Sequence, residues 1–202
     1  MRKADVFVIY DHVQYTKNDW RNRNQIRSTN GPIWLTIPVK HERVSQSIRD
    51  TKIAWSGWSK KHFKSLISNY ARADCFKDYL PVLEELYSSC DFEYLSEVNI
   101  LFLTRISEAL GIETQFRFSS EFDILADRNE NLVNICRTLN CTEYLTGPSA
   151  LSYLDLELFS SNGIRVEVQN YSDFGTYKQV HEGFVREVSV LDLLLNVGRE
   201  GF

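Results

Sequence analysis

An alternation of short β-type runs and helical runs in the second half of the chain constrains the fold most strongly. The pattern predicts strands over 114–118, 143–146 and 164–169, and helices over 130–139 and 155–162. Strands that alternate with helices of about ten residues indicate βαβ units, in which the strands run parallel. The sequence therefore predicts an α/β fold, Rossmann-like, with a mostly parallel sheet.

The middle of the chain has a helical period instead. Apolar residues recur at helical spacing from residue 59 onward, and a second helix is predicted to start with Pro81 in its first turn. A third helix over 96–110 is expected to end at Gly111, because glycine favours the left-handed conformation that terminates helices. These features predict an all-helical lobe, about 56–111, inserted into one domain that spans 1–202.

Two more strands are predicted over 5–10 and 33–39, and a helix over 188–197 is expected to dock on the sheet. Between the two strands lies a mostly polar segment of 18 residues, 12–29, with scattered aromatic side chains. Connections of this length in a small domain are usually functional. We therefore expect residues 12–29 to form a functional loop at the end of the first strand.

Charge is distributed unevenly along the chain. Residues 1–78 carry 15 Lys and Arg against 7 Asp and Glu, whereas residues 79–202 carry 8 against 20, so the net charge of -4 hides a basic half. A clustered positive surface concentrates anionic ligands. The sequence therefore predicts an anionic ligand, while its pI of about 5.6 argues against nonspecific binding of nucleic acid.

Several functional classes lack their signatures in this sequence. No apolar run is long enough to span a bilayer and no secretory leader is evident, which predicts a cytoplasmic protein. The four cysteines show no CxxC pair or metal-like spacing with histidine, so we expect reduced thiols and no metal site. Motifs of P-loop proteins, zinc hydrolases and acyl-enzyme hydrolases are also missing, and no cofactor is indicated.

The basic loop supplies the densest set of chemically useful side chains. Its arginines and lysine can hold phosphates, its amides can bind sugar hydroxyls, a carboxylate can act as a base or orient a cation, and an indole can stack. The alternative is a solvated loop that is pinned by one buried tryptophan. The candidates are Asp11, Gln14, Lys17, Trp20, Arg21, Asn22, Arg23, Asn24 and Arg27.

Other candidates lie outside this loop. Gly147 and Ser149 follow a predicted strand and can present N–H groups and a hydroxyl to an anion, although such turns also need small residues for conformational reasons. Asn99 falls in the apolar stripe of its helix, where its amide either contacts a ligand or pins a neighbouring loop. His62 is expected at the surface beside its lysine neighbours, and Tyr177 and Gln179 are open to a ligand-facing role in a polar loop.

The combined motifs resemble the WbqC-like proteins that occur in O-antigen and related surface-polysaccharide gene clusters. The resemblance covers nearly the whole chain. It rests on Asp11-x-Val13-Gln14-x-x-Lys17-x-x-Trp20-x-x-Arg23-Asn24-x-Ile26, Trp34-Leu35-Thr36-Ile37-Pro38-Val39, Asn99, Tyr144-Leu145-x-Gly147-Pro148-Ser149-Ala150-x-x-Tyr153-Leu154-Asp155 and Ser189-Val190-Leu191-Asp192. The resemblance implies bacterial origin, a proposed glycine transferase role, and ligand-facing positions that include Tyr153.

This chain departs from the family pattern at two places. Members open with a segment like Met-Gln-Pro-x-x-x-Pro, which does not precede Ala4 here. Either the start is truncated or this member has lost the segment, and a copy without it is expected to be impaired if the segment supplies active-site groups. The usual Asp-Asp-Val-Gln reads Asp11-His12-Val13-Gln14. An imidazole thus replaces one carboxylate, which weakens any expectation of a two-carboxylate metal site.

The basic loop and the family resemblance together imply an enzyme of surface-polysaccharide assembly that transfers a small acyl or aminoacyl group, such as glycyl, to a sugar. Asp11 or His12 would accept the proton, and Lys17, Arg23 and Asn24 would hold the phosphates of a nucleotide-linked or lipid-linked sugar. Other enzymes of the same pathway are expected as partners. The alternative is a non-catalytic protein that binds an acidic polymer or nucleic acid through the same basic face.

Overall fold

The helices and short parallel strands expected from the sequence are present in the computed structural model, which describes residues 1–171 and 175–201. In chain order the elements are β1 (Val6–Ile9), β2 (Arg23–Ser28), β3 (Gly31–Thr36), α1 (Trp58–Tyr70), α2 (Phe76–Ser88), α3 (Leu95–Leu110), β4 (Gln115–Phe118), α4 (Arg128–Thr138), β5 (Glu143–Thr146), α5 (Leu156–Ser161), β6 (Arg165–Val168) and α6 (Val190–Val197). This mixture of elements confirms the α/β class.

The chain divides into two units. The first comprises Met1–Tyr10 and Thr114–Gly175, and the second comprises Asp11–Glu113 and Thr176–Phe202. The predicted helices of the 56–111 region, α1 to α3, all belong to the second unit. One folding domain over 1–202 stays a prediction.

Parallel strand pairs characterise the first unit, as the alternating sequence pattern predicts. β1 pairs with β4, and β5 pairs with β6, each in parallel orientation. The side chain of Asp127 caps α4 by accepting hydrogen bonds from the N–H groups of Asn129 and Glu130. A separate core forms here around Val133 of α4, Phe159 of α5 and Ile164, which directly precedes β6.

The described part of the second unit contains the α-helices α1, α2, α3 and α6 and an antiparallel hairpin. β2 and β3 pair antiparallel, and their buried residue Ile26 joins a core built from α1, α2, α3 and α6. The backbone N–H of Ser189, which caps α6, donates to the Gln25 carbonyl at 2.7 Å. The terminal helix is therefore present as predicted, and it packs with α2 and the hairpin.

Two local predictions are wrong. Residues 12–29 are not one loop, because the polar run Arg23–Ser28 forms β2 and pairs with β3. α2 begins at Phe76, so Pro81 lies inside this helix rather than in its first turn. Gly111, by contrast, ends α3 with φ +67° as predicted, which is a conformation that residues with a Cβ rarely adopt.

Within residues 1–171 and 175–201, no helix has the length and apolar character needed to cross a membrane.

Candidate functional site

The register of the β2–β3 hairpin brings an arginine and a tryptophan together on one face. Arg23 pairs with Thr36, and Trp34 lies two residues before Thr36 on β3. Residues two apart share a face, so Arg23 and Trp34 form a diagonal pair, which is close enough for long and aromatic side chains to touch. Ile26 and Leu35 point the other way and pack in the core.

Three side chains then assemble on the outer face of the hairpin. The guanidinium of Arg23 lies 4.1 Å from the centre of the Trp34 ring, and the ring centres of Trp20 and Trp34 are 5.1 Å apart at an angle of 49°. Trp20 is 58% exposed and Trp34 is 41% exposed. We call Trp20, Arg23 and Trp34 the aromatic platform.

Hydrogen bonds hold the aromatic platform in place. Nη2 of Arg23 donates to the carbonyl of Asn18 at 2.5 Å. With the Gln25 amide oriented to satisfy its neighbours, Nε1 of Trp34 donates to the Gln25 side-chain oxygen at 3.2 Å. A cation stacked on an indole adds about 0.5–1 kcal/mol at an exposed site. The platform is therefore set by the hairpin before any ligand arrives.

The remaining cations of this region have different surroundings. Lys17 is exposed. Arg21 forms an ion pair with Asp19. Arg27 is buried and donates to the carbonyls of Ser28 and Glu182, so it supports the hairpin and its expected role as a phosphate ligand is wrong.

Two amide side chains that were predicted to bind substrate make other contacts in the structure. Asn24 follows Arg23 in the strand and so points to the opposite face, where its Oδ1 accepts from the N–H of Gln25 at 2.8 Å. Asn99, on α3, donates through Nδ2 to the carbonyl of Arg21 at 2.9 Å. Asn99 therefore pins the segment that leads into β2, which is one of the two roles the sequence left open.

The residues expected to move protons lie in a segment that pairs with residues 44–49. The Asp11 carbonyl accepts from the Arg49 N–H at 3.0 Å, and Nε2 of Gln14 donates to the Val44 carbonyl at 2.7 Å. Partial burial lowers the pKa of His12 below its usual 6.5, with Asp11 opposing and Arg49 adding to the shift. His12 is therefore neutral at pH 7 and can accept a proton.

His62 differs from its expected surface position. Its ring is buried beneath Trp58, and Nε2 lies 3.0 Å from the Thr36 carbonyl, to which it must donate. Burial lowers the pKa of His62 to about 4. His62 therefore joins α1 to β3, and it does not belong to the basic surface.

Tyr177 and Gln179 also point inward. Together with Tyr70 they donate hydrogen bonds of 2.8–2.9 Å to the carboxyl group of Asp192, which is fully buried on α6. Asn196 donates to the same residue and lines an open cleft of about 190 Å³. The ligand-facing role considered for Tyr177 and Gln179 is therefore wrong, since both are structural donors.

The predicted turn residues of the first unit form their own cluster. Gly147 precedes a 3-10 helix over Pro148–Ser152, and a Cβ placed on it would lie 3.2 Å from the Tyr171 hydroxyl. Ser149 and Tyr153 are exposed, and the Arg128 guanidinium lies 4.7 Å from the centre of the Tyr153 ring. Arg128, which the sequence analysis did not select, thus adds a cation to this cluster.

Comparison with known proteins decides the family. The whole chain, residues 1–202, matches the WbqC-like protein family. The chain belongs to the WbqC-like family. This WbqC-like protein is also similar to the uncharacterised protein Rv1507c of Mycobacterium tuberculosis, with 41% identity over 198 residues that cover 98% of this chain and 86% of the relative. No solved structure matches it.

Trp34 is the member of the aromatic platform that was not among the binding residues predicted from the sequence of this WbqC-like protein. Its signal was available, because side chains alternate along the predicted strand over 33–39, so Trp34 faces away from its core neighbour Leu35. Finding its neighbours required the hairpin partner β2. Among the described residues, no group of three or more His, Cys, Asp or Glu side chains could hold a metal ion.

Proposed function

We propose that this WbqC-like protein is an enzyme of surface-polysaccharide assembly that transfers a small acyl or aminoacyl group, such as glycyl, to an amino or hydroxyl group of a sugar. The observation that carries the proposal is His12, a partly buried imidazole that is neutral at pH 7 beside the carboxylic side chain of Asp11. A base of this kind suits general base catalysis near neutral pH. Family membership supplies the link to polysaccharides.

The proposed step is an acyl transfer. The sugar's nitrogen or oxygen attacks the carbonyl carbon of an activated carboxyl donor and forms the new bond, while its proton passes to a ring nitrogen of His12. The leaving group departs from the same carbon with the bonding electrons. Asp11 is the second candidate acceptor, and its negative charge stabilises the imidazolium that forms.

Anion binding is proposed separately for a group of residues in each unit. In the second unit, Lys17 and Arg23 would hold the phosphates of a nucleotide-linked or lipid-linked sugar, with Gln14 and Trp20 contributing further contacts. Asn99 positions the binding segment through its bond to Arg21. In the first unit, Gly147, Ser149 and Tyr153 are proposed as a second anion-binding edge.

The experiment is a transfer assay read by mass spectrometry. The purified protein is incubated with a panel of nucleotide-linked amino sugars and with glycyl donors of two classes, a thioester and a glycyl-tRNA. We expect one sugar to gain the mass of a glycyl residue, and His12→Gln to abolish turnover while sugar binding remains. Turnover that survives both His12→Gln and Asp11→Asn would contradict the assignment of the base.

The non-catalytic alternative has one observation in its favour, the exposed indoles beside Arg23. Stacking rings with a nearby cation also suit single-stranded nucleic acid. Titration with an oligonucleotide at two salt concentrations separates the two functions, because phosphate-driven binding weakens steeply with salt. Tight, salt-sensitive binding of the oligonucleotide without any transfer activity would favour the alternative.

A further inference from the structure

The aromatic platform presents an unusual amount of aromatic surface to water. Trp20 and Trp34 are 58% and 41% exposed, and they are neighbours at 5.1 Å rather than isolated surface residues. Clustered exposed apolar surface of this kind usually marks a binding site. Because the hairpin register, the Arg23 guanidinium and the Gln25 side chain fix Trp34, the site needs little reorganisation to bind.

The geometry of the two rings indicates the shape of the ligand. A flat nucleobase held between two aromatic rings needs nearly parallel planes, whereas the planes of Trp20 and Trp34 are inclined by 49°. Two inclined rings form a shallow angular surface. A pyranose chair fits such a surface, because its face is puckered and carries several C–H groups that can contact each ring.

Polar groups at the edge of the aromatic platform indicate a ligand rich in oxygen. The guanidinium of Arg23 stacks on Trp34, and the Nε atom of Arg23 is buried without a hydrogen-bond partner in the described ranges. Lys17 is exposed a few residues before Trp20. Indole rings bordered by N–H donors offer apolar contact to C–H groups and hydrogen bonds to hydroxyl or phosphate oxygens.

We propose that the aromatic platform binds one pyranose ring of a polysaccharide precursor, with the C–H face of the ring against Trp20 and Trp34 and its oxygens toward Arg23. This inference deepens the proposed function and rests on it for the choice of a saccharide ligand. It assigns Trp34, which the family motif contains without a role, as a substrate-binding residue.

A glycan array tests the inference directly. The full chain is applied to a printed panel of bacterial surface oligosaccharides, and bound saccharides are then titrated by tryptophan fluorescence. We expect Trp20→Ala and Trp34→Ala each to weaken binding by at least about tenfold. Trp55→Ala is the matched control, because Trp55 is 54% exposed but lies over Gly57, outside the aromatic platform, and it should bind like the native chain.

Several outcomes would overturn the inference. If no saccharide on the panel binds, or if Trp20→Ala and Trp34→Ala bind as well as Trp55→Ala does, the aromatic platform is not a sugar site. If uridine diphosphate or an oligonucleotide, with no saccharide present, quenches the fluorescence of Trp20 and Trp34 as strongly as a saccharide does, the ligand is a nucleobase. Saccharide binding without glycyl transfer overturns the proposed function alone, whereas transfer with unchanged KM in both variants overturns this inference alone.

Discussion

His12 is the titratable side chain whose protonation state bears most directly on the proposed transfer. Burial lowers its pKa below 6.5, and the positive charge of Arg49 adds to that shift. A lowered pKa leaves a larger fraction of the imidazole neutral, and therefore competent as a base, near neutral pH. The replacement of a carboxylate by an imidazole in the family motif thus keeps a proton acceptor at this position.

The first residue-scale prediction concerns the titration of His12. Its ring resonances should titrate in NMR with a midpoint below 6.5, and Arg49→Gln should raise that midpoint because a nearby positive charge is removed. Arg43→Gln is the control, because it removes another exposed positive charge close to Asp50 and should move the midpoint less than Arg49→Gln does. A midpoint above 6.5 would show that the base is not the neutral group assigned here.

The second residue-scale prediction concerns His62 and stability in acid. Above pH 6.5 the ring is neutral in both the folded and unfolded states, so it contributes no pH dependence. Between pH 6.5 and about 4 only the unfolded state binds the proton, so the free energy of unfolding decreases as the pH falls, by roughly 3 kcal/mol in full. Denaturant unfolding from pH 7 to 4 measures this decrease.

His62→Gln should remove that part of the acid destabilisation, because glutamine does not titrate and can still donate to the Thr36 carbonyl. Lys64→Gln, on the exposed side of the same helix, should leave the pH dependence unchanged. An equally steep loss of stability in His62→Gln would show that other groups are responsible.

At the scale of elements, the helices and strands that could be predicted from the sequence are those whose pattern lies within a single segment. α3 could be predicted from its apolar period and from Gly111, and β5 from its short β-type run ahead of the turn at Gly147. β2 could not, because Arg23, Asn24 and Gln25 are polar and its identity as a strand depends on the partner β3. The aromatic platform could not be predicted for the same reason, because the contact between Arg23 and Trp34 depends on the register of two strands.

The third prediction tests how α6 is held. Tyr177 donates at 2.8 Å to the buried carboxyl group of Asp192, so Tyr177→Phe leaves that acceptor with one donor fewer. The expected loss is about 1–2 kcal/mol in the free energy of unfolding. Tyr153→Phe, which alters an exposed ring, should change stability by no more than about 0.5 kcal/mol. Equal effects of the two substitutions in urea unfolding would contradict the hydrogen-bond assignment.

At the scale of the whole molecule, the uneven charge gains a more specific interpretation. Some of the positively charged side chains in residues 1–78 make contacts within the protein: Arg27 is buried, and Arg21 forms an ion pair with Asp19. Lys17 is exposed and Arg23 belongs to the aromatic platform. The number of cations could be read from the sequence, but their availability to a ligand depends on the fold.

The central claim, that Lys17 and Arg23 hold a phosphate-linked sugar, is tested most directly by thermal unfolding with a panel of nucleotide sugars. Ligand at about 100 times its Kd should stabilise the native state by about 2.7 kcal/mol. The account predicts that at least one nucleotide sugar raises the Tm of the native chain. The increase in Tm should be smaller in Lys17→Ala and Arg23→Ala, and in the control Lys60→Ala it should equal that of the native chain. An unchanged Tm with every member of the panel, or equal increases in all variants, would contradict it.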